Sequence, residues 1–151
     1  MLGARLLLKL IITDIVEPHG IPKKRRKLIL SREEKSAIVA NEMLSDESIN
    51  IAMNMLHQQF PAFDGLVDSS IGKLHAFPIV VSDKPYIQIL HAGEMHWVCV
   101  GNTKNGKKDN AAHYLYDSFA NGICNDVIDQ IAGFSFCRQS ELIVNTMPVQ
   151  Q

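Results

Sequence analysis

His96 and Asp117 are the residues whose types and spacing point most directly to chemistry. His96 opens the apolar run His96-Trp97-Val98-Cys99-Val100, and Asp117 follows Tyr114-Leu115-Tyr116, with Asn105-Gly106 in the polar stretch between the runs. This pattern predicts two strands of one hairpin, on which the two side chains can approach each other. A carboxylate bonded to one imidazole nitrogen orients the ring and leaves the other to take a proton from a nucleophile. A purely structural His–Asp pair has the same sequence pattern, so both interpretations stay open at this point.

Three cysteines, Cys99, Cys124 and Cys137, are candidates for a nucleophile. Their odd number and long spacings, without a C-x-x-C motif, favour free thiols in a reducing compartment. Cys99 is three positions from His96, so strand alternation turns it toward the side of Trp97 and away from His96. Neither Cys124 nor Cys137 is expected at a helix N-terminus, where the pKa of a thiol is lowered. None of the three is therefore expected to serve His96.

A metal site is the alternative use of the same region. Zinc prefers histidine and cysteine ligands, and this region offers His91, His96, Cys99 and His113. Because His96 and Cys99 should face opposite sides of the sheet, these side chains are not expected to converge on one ion. We expect neither a metal nor another cofactor.

The elements that position these residues are of mixed type. Ser45 or Asp46 can cap a helix, and an apolar face at helical spacing predicts that helix over residues 43–60, ending at Pro61. A second helical face follows the hairpin. Strands are predicted at 78–81, 86–90, 96–100, 114–116 and 142–144. The first helical face comprises Ile49, Ala52, Met53, Leu56 and Phe60, and the second Ile123, Val127, Ile128, Ile131 and Ala132. Strands that neighbour one another in sequence, mixed with helices, indicate an α+β fold.

Charge divides the chain into two parts. The net charge is −1 over 151 residues, which argues for no general nucleic-acid or membrane partner. Residues 1–35, however, hold nine of the fifteen basic and four of the sixteen acidic residues, so they carry +5 and the remainder −6. The basic run Lys23-Lys24-Arg25-Arg26-Lys27 should be exposed, either as a nuclear-localisation or phosphate-binding patch or as a solvated linker. We therefore predict an N-terminal segment over 1–35, of unclear structure, and a domain over 36–151.

No apolar run is long enough to span a bilayer, and no secretory signal with a cleavage site is evident. The chain is accordingly expected to be intracellular, with no membrane partner and no nucleic-acid partner apart from one for the basic run 23–27.

Five stretches follow one another in an order typical of a known protease family. They are Met43-Leu44-Ser45-Asp46, Tyr86-Ile87-Gln88-Ile89-Leu90, His96-Trp97-Val98-Cys99-Val100, Tyr114-Leu115-Tyr116-Asp117-Ser118 and Met147-Pro148-Val149-Gln150-Gln151. Together they resemble the W-L-x-D helix, the catalytic strands and the approach to the oxyanion glutamine of SUMO-specific, or ubiquitin-like-protein-specific, cysteine proteases. The resemblance covers roughly residues 40–151.

The resemblance implies a papain-like (Ulp/adenain-type) fold, incomplete at its C-terminus, and cleavage after the Gly-Gly tail of a SUMO-type modifier in precursor processing or deconjugation. His96 would be the general base, Asp117 its orienting carboxylate, and Gln151 (or Gln150) the oxyanion donor. Trp97 would form one wall of a tunnel that only glycine can pass. Asp46 would contact the modifier, and Met43 stands where the family usually has tryptophan.

One departure from the family concerns the nucleophile. The family places it about six residues beyond the oxyanion glutamine, in an Asp-Cys-Gly sequence, whereas this sequence ends at Gln151. We therefore expect the chain as given to be inactive as a peptidase. A non-catalytic module that binds a ubiquitin-like modifier is the alternative. Either function would place the chain in the nucleus or cytoplasm.

Overall fold

The computed structural model describes residues 31–40, 44–74, 84–93, 96–104, 107–109, 112–117, 123–134 and 141–146. The basic run, the predicted strand 78–81, and the candidate residues Met43 and Gln151 lie outside these ranges, as does Cys137.

The described residues form three α-helices: α1 over Arg32–Val39, α2 over Asp46–Gln59 and α3 over Asn125–Phe134. The predicted helix 43–60 is confirmed as α2. Its N-cap is Ser45, whose hydroxyl accepts a bond of 3.2 Å from the backbone N–H of Ser48, and Asp46 opens its first turn. Acidic side chains there complement the positive end of the helix dipole. Helix α1 spans both sides of residue 35, where the sequence places the domain boundary.

Within the part of the chain that the structure describes, the main sheet has five strands in the order β1-β2-β3-β6-β7. Their bounds are Asp64–Gly65, Tyr86–His91, Trp97–Gly101, Ala112–Asp117 and Glu141–Thr146, and β4 (Thr103–Lys104) and β5 (Lys107–Lys108) form a separate small ribbon. Strands β2, β3 and β6 pair antiparallel, whereas β1 and β7 add parallel strands at the two edges. The four predicted strands within the described ranges are thus confirmed, and the mixed architecture is α+β.

The two faces of the sheet carry separate apolar clusters. On one face, residues of β2 and β3 pack with α2. On the other, residues of β2, β3 and β6 pack with α3. The first cluster, called here the α2 face, contains Leu44, Ile49, Met53, Leu56, Phe60, Phe63, Leu66, Ile87, Ile89, Trp97 and Cys99. The second, the α3 face, contains Tyr86, Leu90, Val98, Val100, Leu115, Val127 and Ile131. Alternation along each strand sends neighbouring residues into different clusters.

The predicted apolar face of α3 is wrong in part. Val127 and Ile131 are buried against the sheet and Ile123 packs partly against them, as expected. Ile128, however, is 44% exposed, and Ala132 is also exposed. Ile128 follows the buried Val127, and Ala132 follows the buried Ile131. Successive residues of a helix are about 100° apart around its axis, so Ile128 and Ala132 lie outside the surface of α3 that packs on the sheet. Among the described residues, no helix combines the length and the apolar character needed to cross a membrane.

Candidate active site

The site is centred on the end of the sheet where β3 begins and β6 ends. Cys99 of β3 lies opposite Tyr116 of β6, and continuing this antiparallel register places Val98 opposite Asp117. His96 immediately precedes β3. Its Nε2 lies 2.6 Å from Oδ1 of Asp117, which confirms that the predicted hairpin brings the two residues together.

The backbone of His96 is held by a tight turn from β2. The His96 N–H donates to the carbonyl of Gly93 at 3.0 Å, and the His96 carbonyl accepts from the N–H of Ala92 at 2.7 Å. Gly93 has a φ of 71°, in the left-handed region where residues with a Cβ are strained. This turn therefore needs glycine, and it fixes the position of the His96 backbone from which the imidazole projects.

The burial of the pair fits a base and its orienting group. The Asp117 side chain is 9% exposed and that of His96 is 20% exposed. Since Nε2 is bonded to Asp117, Nδ1 is the nitrogen that could take a proton from a nucleophile. A ring held by a buried carboxylate and still reachable from solvent can serve as a general base.

Trp97 lies on the opposite side of the strand from this pair. Its side chain belongs to the α2 face and the residue is 4% exposed. The indole Nε1–H donates to the carbonyl of Leu44 at 3.3 Å, and the edge of the ring meets the His91 ring at a centroid distance of 4.9 Å. The indole is thereby connected to the stretch just before Asp46, the half-buried first residue of α2. The structure thus joins Trp97 to Leu44, which lies two positions before the predicted substrate-binding residue Asp46.

Cys99 is fully buried in the α2 face, on the same side as Trp97. The prediction that Cys99 points away from His96 is thus confirmed. The partner of His96, Asp117, lies two positions after Leu115 on β6 and therefore on the α3 face. Burial in an apolar cluster raises the pKa of the Cys99 thiol far above its ordinary range, so this side chain stays protonated. Cys99 does not supply a thiolate.

The prediction that Cys124 lies away from a helix N-terminus is wrong. Its carbonyl accepts from the N–H groups of Val127 at 3.1 Å and Ile128 at 3.3 Å, which makes it the N-cap residue of α3. Cys124 is exposed. The apolar pattern alone did not show where the helix begins, because Asn125 and Asp126 are polar residues of its first turn.

The four residues considered for a metal site are divided between the two faces. His91 contacts Trp97 on the α2 face with Cys99, whereas His113 shares the α3 face with Leu115. They therefore do not converge on one ion. Within the ranges that the structure describes, no three His, Cys, Asp or Glu side chains are grouped to hold a metal.

A buried polar pair that the sequence did not predict, Tyr86 with His113, lies on the α3 face, and His113 shares strand β6 with Asp117. His113 stands four positions before Asp117 on β6, and its Nδ1 is hydrogen-bonded to the Tyr86 hydroxyl. Its Nε2 has no partner among the described residues, and burial lowers the pKa of the ring below its ordinary value. Strand alternation places His113, Leu115 and Asp117 on the same face of the sheet, and this was the signal in the sequence that could have predicted a buried His113.

Comparison of the chain with family models, with curated proteins and with solved structures finds no match in any of the three.

Proposed function

We propose that this chain carries the base and orienting residues of a cysteine-type peptidase site specific for the Gly-Gly tail of a SUMO-type modifier. The observation that carries the proposal is the 2.6 Å contact between His96 Nε2 and Asp117 Oδ1. It joins residues 21 positions apart, one in a His-Trp motif and one in a Tyr-Asp-Ser motif. A carboxylate in this position keeps the ring in one tautomer and stabilises the imidazolium that forms when a thiol is deprotonated.

The surrounding architecture supports a papain-like (Ulp/adenain-type) domain as the framework. The base precedes one antiparallel strand, the carboxylate ends the next, and a long helix, α2, packs against the face that holds Trp97. Trp97 follows His96 directly, so the proposed base and the proposed tunnel wall are positioned by a single strand.

Trp97 suggests how a modifier tail would be recognised. The described residues already cover the indole, and its N–H is bonded to Leu44. A glycine tail that reaches the ring would therefore displace Leu44 from the indole. Glycine is favoured because, without a Cβ, it needs the least room beside a ring that is already buried.

A non-catalytic modifier-binding module is the second candidate, and the state of Cys99 favours it. A thiol protease needs a thiolate, and Cys99 is buried, protonated and on the other face from His96. The connection between Trp97 and the start of α2 does not depend on any thiol, so binding could persist without turnover.

Tail-dependent binding is the first test, and the chain contains a suitable reporter. Trp97 is its only tryptophan. A tryptophan-free SUMO-type modifier ending in Gly-Gly is titrated into the full chain, and the fluorescence of Trp97 is followed. The same modifier without the two glycines is the control. We expect a saturable change with the full tail and a binding at least about tenfold weaker without it.

Turnover is measured in parallel with the modifier fused through its Gly-Gly tail to a reporter. Binding without cleavage identifies the binding module. Cleavage that falls by about a hundredfold or more in His96→Ala and in Asp117→Asn identifies the peptidase. If cleavage also disappears in Cys124→Ser, the N-cap thiol of α3 is the nucleophile. If neither tail-dependent binding nor cleavage is observed, both candidate functions are wrong.

A further inference from the structure

An open groove of about 610 Å³ lies along α2, away from the His96–Asp117 pair. One wall is a stripe of the helix at spacings of three and four residues, and the other is the loop after β1. The groove is lined by Glu47, Asn50, Ile51, Asn54, His57, Leu66 and Asp68. The proposed function uses none of these side chains.

Hydrogen bonds hold the two walls in place. The amide of Asn50 donates from Nδ2 to Asp68 Oδ1 at 2.9 Å, and its Oδ1 accepts from the N–H of Ser69 at 2.9 Å. The groove is thus formed before any ligand arrives, which lowers the entropic cost of binding.

The charge of the groove is negative. Hydrogen bonds from the hydroxyl and N–H of Ser70 and from Asn50 lower the pKa of Asp68, so its carboxylate remains ionised. Glu47 adds a second, exposed carboxylate, and no lysine or arginine is among the residues that line the groove. Ile51 and Leu66 supply apolar surface of the kind that the methylene stems of lysine and arginine cover.

The same chain contains a segment of complementary charge and length. Residues 23–27 are five consecutive basic residues, and residues 1–35 carry +5 whereas the remainder carries −6. Five extended residues span about 17 Å. The groove-lining stripe of α2, from Glu47 to His57, spans about 15 Å at the rise of an α-helix.

We propose that the basic run Lys23-Lys24-Arg25-Arg26-Lys27 docks in the α2 groove of its own chain. The juxtaposition that supports this is an acidic, preformed groove only 20 positions along the chain from a basic run of matching length. The residues between the two, which include helix α1, make the contact intramolecular and so raise the effective concentration of the run at the groove, and contacts that are individually weak then suffice. Docking would withhold the basic run from an external phosphate or import partner until that partner competes for it.

Zero-length carbodiimide cross-linking of the full chain, followed by mass spectrometry, tests the contact directly. The reaction joins a carboxylate to a lysine amine only when the two are in contact. We expect intramolecular links from Lys23, Lys24 or Lys27 to Glu47 or Asp68, lost at high salt, where surface charges are screened. Asp129, exposed on α3, is the reference carboxylate. Equal linking to Asp129, or no links at all, would overturn the proposal. Links found only between chains, in a mixture of isotope-labelled and unlabelled protein, would identify a second copy as the occupant instead.

Limited trypsin digestion gives an independent measurement on matched variants. Glu47→Lys reverses a charge in the groove, and Asp129→Lys makes the same change of net charge on α3. At low salt, we expect cleavage within residues 23–27 to be roughly three- to tenfold faster in Glu47→Lys than in wild type. The rate in Asp129→Lys should match that of wild type. Equal rates in the two variants would contradict the proposal, and circular dichroism establishes that both are folded.

Discussion

The two faces of the sheet are built from the same strands and differ in kind. The α2 face joins eleven buried apolar or thiol side chains, and the buried polar residues that border it, Ser48 and Gln88, are uncharged. The α3 face has a smaller apolar cluster and also carries buried polar groups: the Tyr86–His113 pair and Asp117 at the end of β6. Buried polar groups cost stability unless they are paired, and the Nε2 of His113 has no partner among the described residues. We therefore expect the α2 face to contribute most of the stability, whereas the candidate pair His96–Asp117 lies on the α3 face.

Matched truncations in the two helices test this assignment and should give the largest effects. Ile49 of α2 is fully buried in the larger cluster, and Ile131 lies in the last turns of α3 with a small exposed fraction. We expect Ile49→Ala to lower the free energy of unfolding by about 4 kcal/mol, and Ile131→Ala by about 2 kcal/mol because its site can relax. Urea denaturation of both variants measures the difference. An equal or larger cost at Ile131 would contradict the assignment of stability to the α2 face.

The buried histidine on the α3 face should make stability depend on pH. Burial lowers the pKa of His113 in the folded chain below its ordinary value of 6.5, so the unfolded chain binds the proton more readily. The free energy of unfolding is therefore fully retained above pH 6.5, where the ring is neutral in both states, and it decreases as the pH falls below 6.5. The loss approaches about 1.4 kcal/mol for each pH unit.

Urea denaturation at several pH values between about 7.5 and about 5.5 measures this slope. His113→Gln, which retains a hydrogen-bonding group for Tyr86, is the matched variant, and its stability should change less with pH over the same range. Parallel curves for the two proteins would show that His113 does not titrate on unfolding.

Thiol labelling should separate the faces without changing stability. Cys99 is buried in the α2 face with a raised thiol pKa, whereas Cys124 is exposed at the start of α3. In the folded chain we expect iodoacetamide to modify Cys124 and to leave Cys99 intact, with Cys99 reacting only after unfolding. Peptide mass spectrometry locates the label. Modification of native Cys99 at a rate similar to that of Cys124 would show that the α2 face opens readily.

The sequence by itself determined α2, the central strands of the sheet and the side of the sheet on which their residues lie, but it did not predict α1 or β1. The spacing of Ile49, Met53 and Leu56 predicted α2 with its cap at Ser45, and alternation placed Cys99 with Trp97 rather than with His96. These features follow from the geometry of a helical turn and of a pleated strand, which depends only on neighbouring residues. The hairpin signal at Asn105-Gly106 also predicted that His96 and Asp117 could approach each other.

Only the tertiary structure decided which distant groups touch. The 2.6 Å contact of His96 with Asp117 depends on the register of two strands, and the Trp97 bond to Leu44 joins residues 53 positions apart. The Tyr86–His113 pair and the walls of the α2 groove likewise bring together residues from different elements. The start of α3 after its N-cap Cys124 also escaped the sequence pattern, because the first two residues of the helix, Asn125 and Asp126, are polar and exposed. Such contacts depend on how elements pack, and periodicity within one element carries no information about the neighbour it meets.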